Sequence, residues 1–592
     1  MITPFPDTEK NIRDFFAMSD DMLKKVQEFY FGDNPVNDAL AKINHDDLQT
    51  FFDALAKNPA RLMELQFRWW QGQMEIYRNV MMRMLEKDKD IAPAVTAEAG
   101  DRRFASELWG EQPNFDLLSQ SYLHFSKIVM DMLDSVEGLP KDVRDRLHFF
   151  TRQFINALSP GNFLWTNPEV LKQTMEENGA NLLRGMEIFK DDVLNSGKYL
   201  CVRMTDSDAF QVGRDLAYTP GKVIFENDIF QLIQYEAATE EVFQTPLLFV
   251  PPFINKFYIL DLRAQNSMVN WMREQGHTVF LISWRNPTPE QAHLTYGDLI
   301  TDGVAKAVQI IEEVTGEREV NAIGYCIGGT LLAAAQAWYV GKKAKNRIKS
   351  ATYMTTILDF SDPGSLGVFI NEPVIAAMEA MNEARGICDG RQLAVTFSLL
   401  RENTLYWNYY IENYLKGKEP SQFDILYWNS DGTNIPGKVH SFLLRKLYLD
   451  NELIQPNKVR VDGVGLNLSR VKTPNFFIST LEDHIALWAG TFQGANALGG
   501  DSTLVLGESG HVAGIINPPA KNKYGYYTNP APYTDAKSWL EGATFTPRSW
   551  WLAWQEWVAP YAGEKVAARA IGNEQHQAIE DAPGRYVKVN LI

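Results

Sequence analysis

Three cysteines among 592 residues, Cys201, Cys326 and Cys388, are too few for a disulfide framework, and no two form a C-x-x-C metal or redox pair. Free thiols in so large a chain suit a reducing, cytoplasmic setting. Positive charge is also scarce: 57 Lys and Arg face 74 Asp and Glu, a net charge of -17. No nucleic-acid partner is expected on bulk charge, and an anionic substrate would need a local basic patch. No apolar run approaches the roughly 20 residues of a membrane span, so no transmembrane segment is expected. Met1–Asp20 carries acids and lacks the apolar stretch of a secretory leader, so none is expected there. Internal repeats and low-complexity tracts are absent.

What is present is enough chain for two or three domains. The first 195 residues read as a helical domain from their periodicity. Met18, Met22, Val26 and Phe29 mark one stripe. Over Arg61–Leu85, Phe67, Trp70, Met74, Tyr77, Met81 and Met84 step by three and four, while Leu62, Leu65, Trp69, Ile76 and Val80 fill a second apolar face. Such a helix is either the centre of a bundle or a docking surface for another subunit, a partner or an apolar particle. Ala92–Asp101 reads as a linker.

From residue 196 onward the pattern becomes that of a catalytic α/β domain. Phe210–Val212, Val223–Phe225 and Phe230–Gln234 read as short strands. Leu247–Val250, Thr278–Ser283, Val320–Ile323 and Ala351–Leu358 then alternate with helical stretches, which predicts a parallel sheet covered on both faces. Regularity lapses over an insertion of about 362–470 and resumes at Asn475–Thr480 and Thr503–Leu506. An insertion placed between late strands sits over an active site as a cap. Its crowd of aromatics, Tyr406, Trp407, Tyr409, Tyr410, Tyr414, Tyr427 and Trp428, is either its own core or the lining of an apolar channel.

Val320–Ile323 runs straight into GYCIGG and a small-residue helix, the setting of a nucleophile elbow with cysteine in the serine position. Cys326 would stand at a helix N-terminus, where the dipole and free N–H groups favour a thiolate. The elbow order asks for an acid and then a histidine later in the chain. His511, in GESGHVAG, follows the last strand; His440 and His576 are poorly placed. Asp483, in TLEDHIALW, follows the penultimate strand and is preferred over Asp359, which would brace the insertion. His484 beside it is a candidate substrate contact. The backbone N–H of Ile327 would supply half of an oxyanion hole, and Ile254 or Phe253, in PPFIN, the other half. Cys388 and Cys201 stand on no elbow. A thiol nucleophile turns one thioester into another and keeps the acyl group reactive, so acyl transfer from a thioester such as acyl-CoA is expected.

VPPFINKFYILDL (Val250–Leu262), QGHTVFLISWRNP (Gln275–Pro287), GYCIGGT (Gly324–Thr330), TTILDFSDPG (Thr355–Gly364), the EDH and GHVAGIINPP stretches, and RFASELWGEQPNFDLLSQSYL (Arg103–Leu123) together resemble poly(3-hydroxyalkanoate) synthases. The resemblance implies an α/β-hydrolase core with a cap insertion behind a mainly helical N-terminal domain. It implies polymerisation of (R)-3-hydroxyacyl-CoA, with short-chain 3-hydroxybutyryl-CoA favoured, and release of CoA. A Cys, Asp, His triad falls on Cys326, Asp483 and His511. The resemblance further implies no cofactor, a cytoplasmic enzyme bound to polymer granules, a homodimer, and granule-associated proteins such as phasins as partners. The helical domain would serve granule, partner or dimer contacts. Lys256, Arg263, Arg285 and Arg401 are the cations available to CoA. Elongation would use either one site or two Cys326 from different subunits. The competing reading is a thioesterase or depolymerase with the same triad.

Overall fold

Proline opens four helices of the N-terminal half, where its missing N–H has no intrahelical partner to lose. These are α1 (Pro35–Leu55), α2 (Pro59–Glu86), α3 (Pro113–Asp134) and α5 (Pro168–Glu176); α4 (Lys141–Ala157) and α6 (Ala180–Asn195) complete the set used below. The computed structural model describes residues 35–86, 91–98, 100–195 and 202–591. The stripe at Met18, Met22, Val26 and Phe29, and Cys201, lie outside the described residues.

The chain divides into two units, Met1–Asp206 with Ala394–Ser421, and Ser207–Leu393 with Gln422–Ile592. Where the sequence suggests a cut between residues 195 and 196, the boundary falls at Asp206/Ser207. Where it suggests one continuous cap over 362–470, part of that stretch belongs to the helical unit.

In the helical unit, α2 carries two apolar faces with different fates. Leu65, Ile76 and Val80 are buried, while Phe67, Trp70, Met74, Tyr77 and Met84 face outward, Met74 at 66% exposure. Gly72 lets α3 come close: a Cβ there would lie 2.2 Å from the His124 ring, whose Nε2 reaches the Trp69 carbonyl at 3.1 Å. Arg146 of α4 donates to both Asp47 carboxylate oxygens of α1, at 2.7 and 2.9 Å, in a buried pair. Removing one partner of such a pair costs about 3–5 kcal/mol.

The segment Ala394–Ser421 is held within this unit by many polar contacts. Gln153 Nε2 donates to the Leu399 carbonyl at 2.9 Å and Asn181 Nδ2 to that of Leu415 at 2.8 Å. The Tyr414 hydroxyl donates to Asp192 at 2.7 Å, and a Cβ on Gly185 would meet the Tyr414 carbonyl at 1.9 Å. Tyr406, Trp407, Tyr410 and Tyr414 form an edge-to-face series that ends on Phe189 of α6. These four insertion aromatics therefore pack within the helical unit and do not form a separate core of the insertion.

The second unit is built on an 11-stranded sheet among the described residues. Its strands are β1 (Gly221–Glu226), β2 (Phe230–Tyr235), β3 (Leu247–Val250), β4 (Val279–Trp284), β5 (Val320–Tyr325), β6 (Ile348–Met354), β7 (Asn475–Thr480), β8 (Ser502–Gly507), β9 (Tyr526–Thr528), β10 (Thr544–Thr546) and β11 (Glu580–Asp581), in the order β10-β9-β8-β7-β6-β5-β3-β4-β2-β1-β11. The strands from β4 to β8 pair in parallel and the flanks are antiparallel. Alternate residues serve two cores: Leu248 and Val250 join one, Leu247 and Phe249 the other. This is the α/β-hydrolase architecture, with a helical region ahead of it. Phe210–Val212 is not a strand; Val212 makes only an isolated bridge to Leu216.

The insertion is more helical than its sequence suggests. Helices Glu372–Arg385 and Gly390–Leu400 are followed by π-turns at Asn403–Trp407, Tyr410–Leu415 and Leu443–Leu449. Each i→i+5 turn shifts the side-chain phase, which erases the 3.6-residue stripe that sequence reading relies on.

Candidate active site

β5 ends at Tyr325, and the next helix, α7 (Ile327–Gly341), begins after a single intervening residue. Cys326 fills the joint with φ 52 and ψ -127, a conformation that L residues adopt only under constraint. The constraint comes from both sides. The Cys326 N–H donates to the Met354 carbonyl of β6 at 2.8 Å, and its own carbonyl accepts from Gly329 N at 2.9 Å. The flanking glycines are required by contact. A Cβ on Gly324 would sit 2.3 Å from the Gly329 Cα, and one on Gly328 would sit 2.3 Å from the Val250 carbonyl oxygen. The sharp turn pushes the half-buried Cys326 side chain outward at the carboxyl edge of the parallel strands.

Two neighbouring strand ends deliver the rest. Asp483 follows β7, and its Oδ1 accepts from the backbone N–H groups of Ile485 and Ala486, both at 2.9 Å. The other oxygen is left for His511, whose Nδ1 donates to Oδ2 at 2.7 Å from the loop after β8. Both groups are buried. Burial alone would lower the imidazole pKa. The Asp483 carboxylate and the adjacent Cys326 sulfur outweigh it and push His511 up to about 10. At neutral pH the ring then holds its second proton between the Asp483 carboxylate and the Cys326 sulfur. Tyr325 supports the ring from beneath, stacked at 5.7 Å, with its hydroxyl donating to the His511 carbonyl at 3.2 Å. Sequence reading passes over Tyr325; its signal is an aromatic directly before the nucleophile.

The structure thus brings Cys326, Asp483 and His511 together. Ile327 occupies the first position of α7, where its N–H has no intrahelical acceptor. The loop after β3 lies against the same turn, since the Val250 and Pro251 carbonyls are what a Gly328 side chain would strike. Ile254 in that loop packs on the core that contains Ile327, and Phe253 stands edge-on to Trp284. His484 is half-buried beside Asp483. Asp359 accepts from Asn451 Nδ2 at 2.7 Å and so ties the start of the insertion to its end. From the insertion, Tyr448 packs on the core that contains Ile327; burial, and then the charge of Cys326, hold its phenol above the ordinary range. Nothing in the spacing of the sequence signals Tyr448.

The remaining candidates are occupied elsewhere. His440 is buried, its pKa pushed down to about 4 by burial, with its Nδ1 accepting from Asn382 at 3.0 Å. His576 pairs with Glu313 at 2.6 Å. Burial pushes the Cys388 thiol up to about 12, which suppresses its reactivity. Of the cations, Lys256 is buried against Asp431, Arg263 pairs with Asp424 and Arg285 with Asp228, while Arg401 lies in the helical unit.

Comparison with known proteins extends this picture along the chain. The family model for the poly-beta-hydroxybutyrate polymerase (PhaC) N-terminus matches residues 100–272, and that for the alpha/beta hydrolase fold matches residues 246–518. The poly(3-hydroxyalkanoate) polymerase subunit PhaC of Rhizobium etli is 43% identical over 90% of this chain and 84% of its own length. The poly(3-hydroxyalkanoate) polymerase of Methylorubrum extorquens is 42% identical over 90% and 88%. The PhaC subunit of Cupriavidus necator is 41% identical over 90% and 89%. Identity of this depth over nearly all of both partners is shared ancestry of the whole chain, not of the hydrolase core alone, and the chain belongs to the poly(3-hydroxyalkanoate) polymerase family.

Proposed function

We propose that this acyltransferase polymerises (R)-3-hydroxyacyl-CoA, short-chain 3-hydroxybutyryl-CoA foremost, into polyester and releases CoA, with the growing acyl group carried as a thioester on Cys326. The observation that carries the reading is the Asp483–His511 pair set beside a strained cysteine elbow in a chain of this family.

The Cys326 proton already rests on His511, and the Cys326 thiolate attacks the thioester carbonyl. The developing oxyanion is met by the Ile327 N–H and by that of Ile254 or Phe253. Collapse of the tetrahedral species breaks the carbon–sulfur bond to CoA, and His511 returns the proton to the departing thiolate. A group held as an imidazolium to about pH 10 keeps that proton available at neutral pH. A 3-hydroxyl then loses its proton to His511, attacks the acyl-Cys326, and forms the ester while Cys326 leaves as thiolate. No cofactor takes part in this scheme. His484 is the proposed substrate contact from the acid loop.

With Cys388 suppressed by burial and Cys201 on no elbow, the second thiol of a two-thiol scheme would be Cys326 of another copy. A homodimer working at a cytoplasmic granule surface, with phasins nearby, suits this reading. The outward stripe of α2 is the face available for such contacts. No helix among the described residues is long and apolar enough to cross a membrane.

Incubation with (R)-3-hydroxybutyryl-CoA and longer homologues tests the proposal. Free CoA with insoluble polyester, fastest for the short substrate, is expected. Free hydroxy acid without polymer would replace it with the thioesterase or depolymerase reading.

A further inference from the structure

The loop after β3 is held at two ends. At its start, the Val250 and Pro251 carbonyls press on the elbow turn at Gly328. At its far end, Asn255 makes an antiparallel bridge with Gly432 of the insertion. Lys256 Nζ, buried, lies 2.5 Å from Asp431 Oδ1, also buried. Tyr258 donates its hydroxyl to the other Asp431 oxygen at 2.8 Å, and Trp428 Nε1 donates to the Lys256 carbonyl at 2.7 Å. The same insertion stretch is anchored on the loop after β4, where Asn286 Oδ1 accepts from Asn434 N at 3.0 Å.

A buried ion pair is a poor source of stability, because desolvating both charges offsets their attraction. What it supplies is registry: neither charge tolerates losing the other, so the two segments are fixed in one relative position. Between the two anchored ends lie Phe253 and Ile254, whose N–H groups are the candidates for the second oxyanion donor. An oxyanion hole needs its donors placed to within about 0.5 Å, and the loop that carries these two is tied to the elbow at one end and to the insertion at the other.

We propose that Lys256 and Asp431 are positioning residues that latch the insertion onto the loop after β3, so that the second oxyanion donor is in place only while the insertion is docked. The proposal rests on the covalent thioester reading above. Lys256, near the site and cationic, is then no contact for CoA; its charge is spent inside the protein.

Two reactions of Cys326 separate the possibilities. Acylation by (R)-3-hydroxybutyryl-CoA, followed as single-turnover loss of the thioester, needs the oxyanion donors. Alkylation by iodoacetamide needs the thiol and His511 alone, because no carbonyl oxygen gains charge. Lys256→Met should slow acylation at least about tenfold, a fraction of the effect of deleting a donor outright, while alkylation stays within about twofold. Tyr258→Phe, which only removes one hydrogen bond to Asp431, should slow acylation about threefold with alkylation unchanged; it decides alone if Lys256→Met fails to fold. Equal losses in both reactions, or unchanged acylation in the folded variants, would overturn the latch. A wild-type protein that acquires no acyl group on Cys326 would instead overturn the covalent reading on which the latch rests.

Discussion

At the scale of single residues, the two aspartates at strand ends have different attachments. Asp483 offers one oxygen to two backbone N–H groups and the other to His511, whereas Asp359 holds Asn451 and the turn around it. Asp483→Ala should lower turnover about 10³-fold or more, the scale of losing a triad acid. Asp359→Ala should cost less than about tenfold, the scale of a displaced support. Steady-state rates with one hydroxyacyl-CoA check the ranking, and the reverse order would move the acid to the earlier strand. His511 also carries a pH signature in stability. Its folded pKa of about 10 lies above the ordinary 6.5. The stabilisation from its charge is therefore fully present below about pH 6.5 and lost as pH rises through about 10. The difference in urea midpoint between wild type and His511→Gln should be largest near pH 6 and shrink toward pH 10; a constant difference would show that the ring gains no proton affinity on folding. The three triad side chains are legible in the sequence because each follows a strand, Cys326 and His511 in glycine-marked turns and Asp483 in the loop after β7. Lys256 and Asp431 are not: far apart in the chain, each reads locally as an ordinary exposed charge, and only the fold takes both out of water.

At the scale of elements, the elbow depends on backbone crossing backbone. The obstacle to a side chain at Gly328 is the Val250 and Pro251 carbonyls, which have no rotamer to yield with. Gly328→Ala should shift the loop after β3, destabilise the protein by about 1–3 kcal/mol, and lower turnover far more than stability accounts for. Thermal melts read alongside acylation rates check this; full activity would mean that the loop has slack the packing does not show. Strands β3 and β7 are legible to the residue, since short apolar-centred runs, LLFV and NFFIST, bounded by turn signals leave little choice. The insertion is not, because its π-turns break the period by which helices are recognised. The exposed stripe of α2 sits between these cases. Its helix is plain in the sequence, but which of two apolar faces is covered depends on α3.

At the scale of the whole molecule, the chain does not visit its two units in turn. It completes most of the helical unit, builds half of the hydrolase unit, returns to the first with Ala394–Ser421, and then finishes the second. Sequence reading proposes consecutive domains because composition changes once, near residue 200, and a short aromatic return carries no compositional break. A fragment Ser207–Ile592 should consequently keep its sheet but leave Ala394–Ser421 without Asp192, Asn181 and Gln153 to hold it. Limited proteolysis should cut the fragment within that segment and spare it in the full chain; equal resistance would mean that the segment is held by the hydrolase unit after all.

This interleaving also bears on how such genes can be recombined. A single crossover anywhere between α6 and Tyr414 leaves the helical unit assembled from two parents, its α6 from one and the Tyr414 that packs on it from the other. Chimaeras between family members would inherit mismatched halves of that contact unless both stretches travel together. A lineage that shuffles the N-terminal part for a new role must therefore carry a distant stretch of the gene along with it, and substitutions in α6 and around Tyr414 should change in step.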